Sequence, residues 1–179
     1  MNEQRRMILV LSTIAIASGL ILAGVFQWTK PKMDEVTQER QKTAILEVLP
    51  GAVSYKEVGN NEMVFEGLNG NNQRVGIAFI AEGGGFQGDI SMMVGMDVDE
   101  RKLTGMTVLS HLETPGLGAR IEEESFRKQF VEKSVDDPFV ASEDIDAITG
   151  ATISSNAVSN ILRESISRII EDDQLGGSQ

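Results

Sequence analysis

The stretch Asp146-Ala147-Ile148-Thr149-Gly150-Ala151-Thr152-Ile153-Ser154-Ser155 sets small residues, hydroxyls and one carboxylate directly ahead of a strongly amphipathic segment. Small residues let the backbone turn tightly, and hydroxyls can cap the free amides that open a helix. The same arrangement is an anion site, because those amides and the helix dipole face a phosphate. By residue type alone the plain hydroxyl N-cap is the preferred reading, and a phosphate cradle is the sharper alternative. A second group is His111-Leu112-Glu113-Thr114-Pro115-Gly116-Leu117-Gly118, which holds the only histidine. One histidine builds no multi-histidine metal centre, and no serine nucleophile elbow accompanies it for a hydrolytic triad. His111 therefore reads as structural or ligand-contacting. Gly83, Gly85 and Gly88 satisfy G-x-G-x-x-G formally, but the dinucleotide fingerprint needs a helix straight after the glycines. A strand-like run follows instead, so they read as a turn between strands, with Phe86 beside any ligand that approaches. Asp136-Asp137 and Glu143-Asp144 lack the spacing of a calcium loop and read as solvated charge.

Composition narrows the chemistry further. The 179 residues carry 27 acids, 16 Lys plus Arg and no cysteine, for a net charge of −11. So acidic a chain is unsuited to nucleic acid, whose phosphates need a basic surface. Without thiolates it holds no disulfide, cysteine zinc site or protein-ligated iron–sulfur cluster. Any electrons it moves must ride on an organic cofactor. The charge is also uneven: Arg5, Arg6 and Lys30 against Glu3 make residues 1–30 +2, leaving −13 on the rest.

The elements that must position these residues follow from patterning. Met7 to Thr29 is an uncharged apolar run of 23 residues. As a helix it spans ~34 Å, enough for a ~30 Å hydrocarbon core. Trp28 suits an interfacial anchor, and Pro31 is expected to stop the helix. The run exceeds the ~7–15 apolar residues of a signal peptide and lacks a clean A-x-A site, which favours an uncleaved anchor. Basic residues flank it on both sides, so charge alone leaves orientation open; a short tail ahead of an N-terminal anchor favours a large domain outside the cytoplasm.

Met33–Leu49 reads as a membrane-proximal helix ending at Pro50-Gly51. Ala52–Val58, Met63–Leu68, Arg74–Ala81 and Asp89–Val98 read as strands, the last with Ile90, Met92, Val94, Met96 and Val98 on one face. Leu103–Ser110 completes a hairpin with it. His111–Arg120 reads as a loop, Glu122–Lys133 as a helix bearing Phe126 and Phe130, Phe139–Ile148 as extended chain, and Ser154–Asp172 as an amphipathic helix. The expected fold is α+β, a mainly antiparallel sheet with flanking helices behind one N-terminal transmembrane helix. Its divisions are a tail and membrane helix over 1–30, a domain over 31–173 and a flexible tail over 174–179.

Two of these motifs together resemble the FMN-binding domain family. Asp146-x-x-Thr149-Gly150-Ala151-Thr152 is similar to its flavinylation motif, with Thr149 where serine is commoner, and Glu113-Thr114-Pro115-Gly116-Leu117-Gly118 to its ETPGLG loop. A single membrane anchor before the domain, and the chain's compact length, match the Rnf branch of ion-translocating ferredoxin:NAD oxidoreductases rather than the longer Nqr relatives.

The resemblance implies a covalent FMN, attached through a phosphoester to Thr152 by a flavin transferase that uses FAD, with Asp146 in the recognition motif. It further implies that Thr149, Gly150, Ala151 and Ser154, together with His111, Glu113, Thr114, Leu117 and Gly118, surround the cofactor. No residue would act as an independent catalyst. The protein would relay electrons within a complex of membrane and redox subunits, as a single-pass protein of the cell membrane. The alternatives are an Nqr-type subunit and a membrane-tethered binding or scaffold module without flavin.

Overall fold

The computed structural model describes residues 3–58 and 63–176, with Asp34 and residues 172–176 described by their backbone alone. The chain divides into two compact units, Met1–Arg40 and Gln41–Gln179.

Helix α1 runs from Glu3 to Val48. In the first unit its apolar side chains are bare: Leu20 and Leu22 are about 70% exposed, and Ile8, Leu11, Ile14, Ile16, Ile21, Val25 and Phe26 are exposed beside them. A face so apolar needs a nonaqueous solvent, and the helix is long and apolar enough to cross a bilayer. Pro31 does not end it; it lies inside. A proline there removes the helical bond to the Gln27 carbonyl. Both flanking segments favour helix on their own, so the expected membrane and membrane-proximal helices join into one.

In the second unit, β1 (Ser54–Glu57), β2 (Val64–Leu68), β3 (Arg74–Gly84), β4 (Asp89–Asp97) and β5 (Lys102–Ser110) form one antiparallel meander in chain order. The expected strands are all present with ends shifted by a few residues. Period-two alternation gives the central strands two buried faces. Phe79, Ala81, Ile90, Met92, Val94 and Met96 face the larger core, with Val98 packed against it. Phe65, Ala78 and Met93 face a smaller one, covered by Ala44, Ile45, Val48 and Leu49 from the end of α1. There the Thr104 hydroxyl donates to the Val48 carbonyl at 2.6 Å, satisfying a group that a helix end leaves open. A Cβ at Gly95 would overlap that carbonyl and the Thr104 Oγ1. Gly95→Ala should therefore cost ~1–3 kcal/mol of overpacking, read as a lowered thermal midpoint.

The larger core is closed by α2 (Glu124–Arg127), the 3-10 turn Lys128–Phe130 and α3 (Thr152–Gly176). The helix expected over Glu122–Lys133 is thus cut short. Glu132 turns to a φ of 65°. Its N–H then donates to the Leu103 carbonyl at 2.8 Å while the Leu103 N–H donates to the Lys133 carbonyl at 2.9 Å. Tertiary pairing with β5 wins over helical periodicity.

Phe139–Ile148 is not extended either. Phe139 and Ser142 take φ of 47° and 72°. The Asp144 carboxylate accepts the Val140 N–H at 2.5 Å and the Lys133 ammonium at 3.1 Å, folding a turn that buries Phe139, Ile145 and Ile148. Helix α3 starts at Thr152, two residues before the expected Ser154, and runs on to Gly176. The last residues of the expected flexible tail, 177–179, lie outside the described residues.

Candidate functional site

Three segments converge at one end of the sheet. The first is the turn from β3 to β4, closed by the Gly85 N–H donating to the Gly88 carbonyl at 2.8 Å. It links two strands, as the sequence pattern indicated. The second is the loop from His111 to Gly118, continued by a 3-10 turn over Gly118–Glu122. The third is the turn Thr149-Gly150, with φ of 83° at Gly150, that leads into α3.

The start of α3 is built in an unusual way for a helix rich in hydroxyls. Ala151 holds the cap position: its carbonyl accepts the Ser155 N–H at 3.0 Å and the Ser155 hydroxyl at 3.1 Å. Ser155 Oγ in turn accepts the Ile148 N–H at 3.0 Å. The Ser154 hydroxyl points away from the helix end and donates to Glu113 Oε2 at 2.5 Å. The expected hydroxyl cap is therefore not made. Among the described residues, no acceptor meets the N–H groups of Thr152, Ile153 and Ser154. Alanine at the cap leaves the helix terminus open for an external anion.

Phe86, Glu113, Thr114, Leu117, Gly118, Gly150, Ala151, Thr152, Ile153 and Ser154 line one cleft of ≈ 340 Å³. That lies within the ~300–1,000 Å³ usual for small-molecule sites. Phe86 and Ile153, each 59% exposed, and Leu117 give it apolar walls, whereas Thr152 is an exposed hydroxyl at the open helix end. A second, apolar cavity of ≈ 70 Å³ near Ile77, Met96 and Ile170 lacks this combination.

Glu113 is 4% exposed. Burial pushes its carboxyl up, but the bonds from Ser154 Oγ and from the Phe86 and Gln87 N–H groups, with His111 nearby, outweigh this and hold it below the ordinary value. The two amides reach Oε1 at 2.6 and 3.2 Å. A carboxyl depressed on folding stabilises the protein above its unfolded value, and that contribution is lost as pH falls from about 4.5 through the lower folded value. The thermal midpoint of Glu113→Gln should accordingly fall less steeply than wild type over that acid range.

Eight of the expected site residues meet here, and two do not. Thr149 is exposed beside the cleft and does not line it. His111 stands behind the loop: its Nδ1 accepts the Glu113 N–H at 3.0 Å, and its Nε2 lies 3.1 Å from Glu122 Oε1. Asp146 presents an exposed side chain, while its backbone N–H donates to Gln129 Oε1 at 2.7 Å and its carbonyl accepts from Gln129 Nε2 at 3.3 Å. Gln129 is a contributor that no sequence pattern revealed. Ile153 lines the cleft as well; an apolar residue just ahead of the expected helix start and off its apolar stripe was a usable signal.

Residues 85–167 match the FMN-binding domain family, a stretch that contains all three converging segments. The chain is 31% identical to the G subunit of the ion-translocating oxidoreductase complex of Methanosarcina acetivorans, over 92% of this chain and 94% of that protein. This chain belongs to that G-subunit family. It is also 31% identical to the G subunit of the proton-translocating ferredoxin:NAD(+) oxidoreductase complex of Clostridium ljungdahlii, over 89% of this chain and 88% of the other. Its fold is that of the C subunit of the Na(+)-translocating NADH-quinone reductase from Parabacteroides distasonis, with a TM-score of 0.59 and 23% identity over 78% of this chain and 92% of that one.

For the G-subunit family the cleft fits a flavin mononucleotide in kind. The bare amides and exposed hydroxyl at the start of α3 suit a phosphate, and the apolar walls suit an aromatic ring system.

Proposed function

We propose that this protein is a membrane-anchored electron-carrier subunit of an Rnf-type ion-translocating ferredoxin:NAD oxidoreductase, with FMN joined to Thr152 through a phosphoester. The observation that carries the reading is the pairing of an exposed Thr152 hydroxyl with three acceptor-free amides at the start of α3. Thr152 Oγ1 would form a bond to the FMN phosphorus as the pyrophosphate bond of FAD breaks; AMP leaves and the hydroxyl proton passes to the flavin transferase or solvent. The resulting phosphodiester keeps a negative charge for the helix dipole to stabilise. Thr149, Gly150 and Ala151 give the turn its shape, Ser154 and Glu113 anchor its base, and Thr114, Leu117, Gly118 and Phe86 form the opposite wall. His111 supports that wall from behind.

Flavin when bound supplies one- and two-electron redox chemistry. Attachment through phosphate leaves its ring chemically unmodified, so burial, hydrogen bonds and charge around the cleft set its potential. The protein needs no general base of its own; it holds the carrier while other subunits of the complex bind NAD and ferredoxin. The direct test is ultraviolet fluorescence of the denatured protein band after production with the transferase. A band that stays dark in fully matured material would sink the reading.

The domain is proposed to lie on the extracytoplasmic side. The absence of cysteine makes this easy to check, because a single introduced thiol is the only one present. Asn71→Cys, at an exposed position, should react with a membrane-impermeant maleimide in intact cells. Labelling only after the membrane is opened would put the domain on the cytoplasmic side.

A further inference from the structure

Glu113 presents a puzzle that cofactor contact does not solve. It is a buried carboxylate held ionised without a lysine or arginine partner among the described residues, and such burial is costly unless hydrogen bonds compensate. Its donors come from two different segments. Oε1 accepts the Phe86 and Gln87 N–H groups of the glycine turn, and Oε2 accepts the Ser154 hydroxyl of α3. Space for both oxygens is made by missing side chains: a Cβ at Gly85 would strike Oε1, and one at Gly118 would come within 2.5 Å of Oε2 and 2.7 Å of Ser154 Oγ. The Glu113 backbone is fixed in turn through His111, which ties it to Glu122.

We infer that Glu113 is a positioning residue: its carboxylate joins the glycine turn, the Thr114–Gly118 loop and the first turn of α3, so that the cleft is assembled and Thr152 presented before any flavin arrives. The inference rests on the reading of Thr152 as the acceptor. It also reassigns Ser154, whose proton is committed to Glu113.

Two variants of the full chain, purified without the transferase so that no flavin is involved, test this by hydrogen exchange. Glu113→Leu keeps bulk and loses every acceptor. Exchange at Phe86, Gln87 and Ser155, the first hydrogen-bonded amide of α3, should rise about ten- to hundredfold, the range for losing hydrogen bonds to a charged group, while β4 and β5 stay protected. Glu113→Gln keeps an acceptor oxygen for the amides and offers Ser154 an N–H, so the same segments should exchange only a few-fold faster. With the transferase added, the initial rate of flavin incorporation should fall in the same order.

Unchanged exchange at Phe86 and Gln87 in both variants would overturn the inference, as would incorporation at the wild-type rate in Glu113→Leu. If Glu113→Leu unfolds throughout, Glu113→Gln decides: acceleration confined to the cleft segments supports the strut, and none refutes it. Local exchange as expected, with wild-type protein that takes up no flavin on Thr152, would instead remove the acceptor reading and leave the strut standing.

Discussion

Thr152→Ala should produce a folded protein with no covalent flavin. Wild type matured with the transferase should be heavier than the bare chain by FMN less one water, with the added mass on the peptide that contains Thr152. Alanine removes the hydroxyl that would bond to phosphorus, so the loss should be complete. The substitution costs little elsewhere, because Thr152 is exposed, makes no hydrogen bond through its side chain among the described residues, and gives way to the best helix former. Thr152→Ser keeps a hydroxyl in place and should restore attachment. An adduct that persists in Thr152→Ala, or moves to Thr149 without loss of yield, would show that another residue is the acceptor. Electron flux through the complex should fall with the adduct; unchanged flux would favour the scaffold alternative.

The second large effect is on stability. Phe130 is fully buried, meets Phe126 edge-on with ring centres 5.4 Å apart, and stacks on Phe139 at 6.4 Å. Phe130→Ala should cost ~3–5 kcal/mol through lost transfer free energy and the cavity left behind. That is a large share of the ~5–15 kcal/mol that holds a domain folded. Denaturant unfolding of the full chain in detergent should show a clearly lowered midpoint. The same aromatic group seats the Phe139–Ile148 turn, so flavin incorporation should fall as well, although Phe130 does not line the cleft. A loss below ~1 kcal/mol would mean the cavity collapses far more completely than usual in a close-packed core.

Where sequence reading fell short, a competing term outweighed the local signal. Pro31 does not interrupt α1, because helix-favouring residues on both sides outweigh one lost bond. The helix expected at Glu122–Lys133 is cut to Glu124–Arg127 plus a 3-10 turn by backbone bonds to Leu103, almost thirty residues back. Asp144, which sequence spacing presents as solvated charge, organises a turn through Val140 and Lys133. Burial pushes its carboxyl up, but those bonds and that lysine hold it below the ordinary value. In each case the local preference was real but smaller than the term it met.

By itself the sequence determined the apolar membrane-length helix, the run of strands, the final amphipathic helix and the Thr149-Gly150-Ala151-Thr152 motif at its start. Each is a matter of periodicity, composition or adjacent residues, and such signals survive without knowledge of the fold. The tertiary structure alone decided that Glu113 faces the glycine turn and Ser154, that His111 stands behind the loop, and that Gln129 grips the backbone of Asp146. The contacts of Glu113 and Gln129 join residues 17 to 41 positions apart. A side chain's hydrogen-bond partner across such distances depends on how strands, turns and helices pack, which no local pattern encodes.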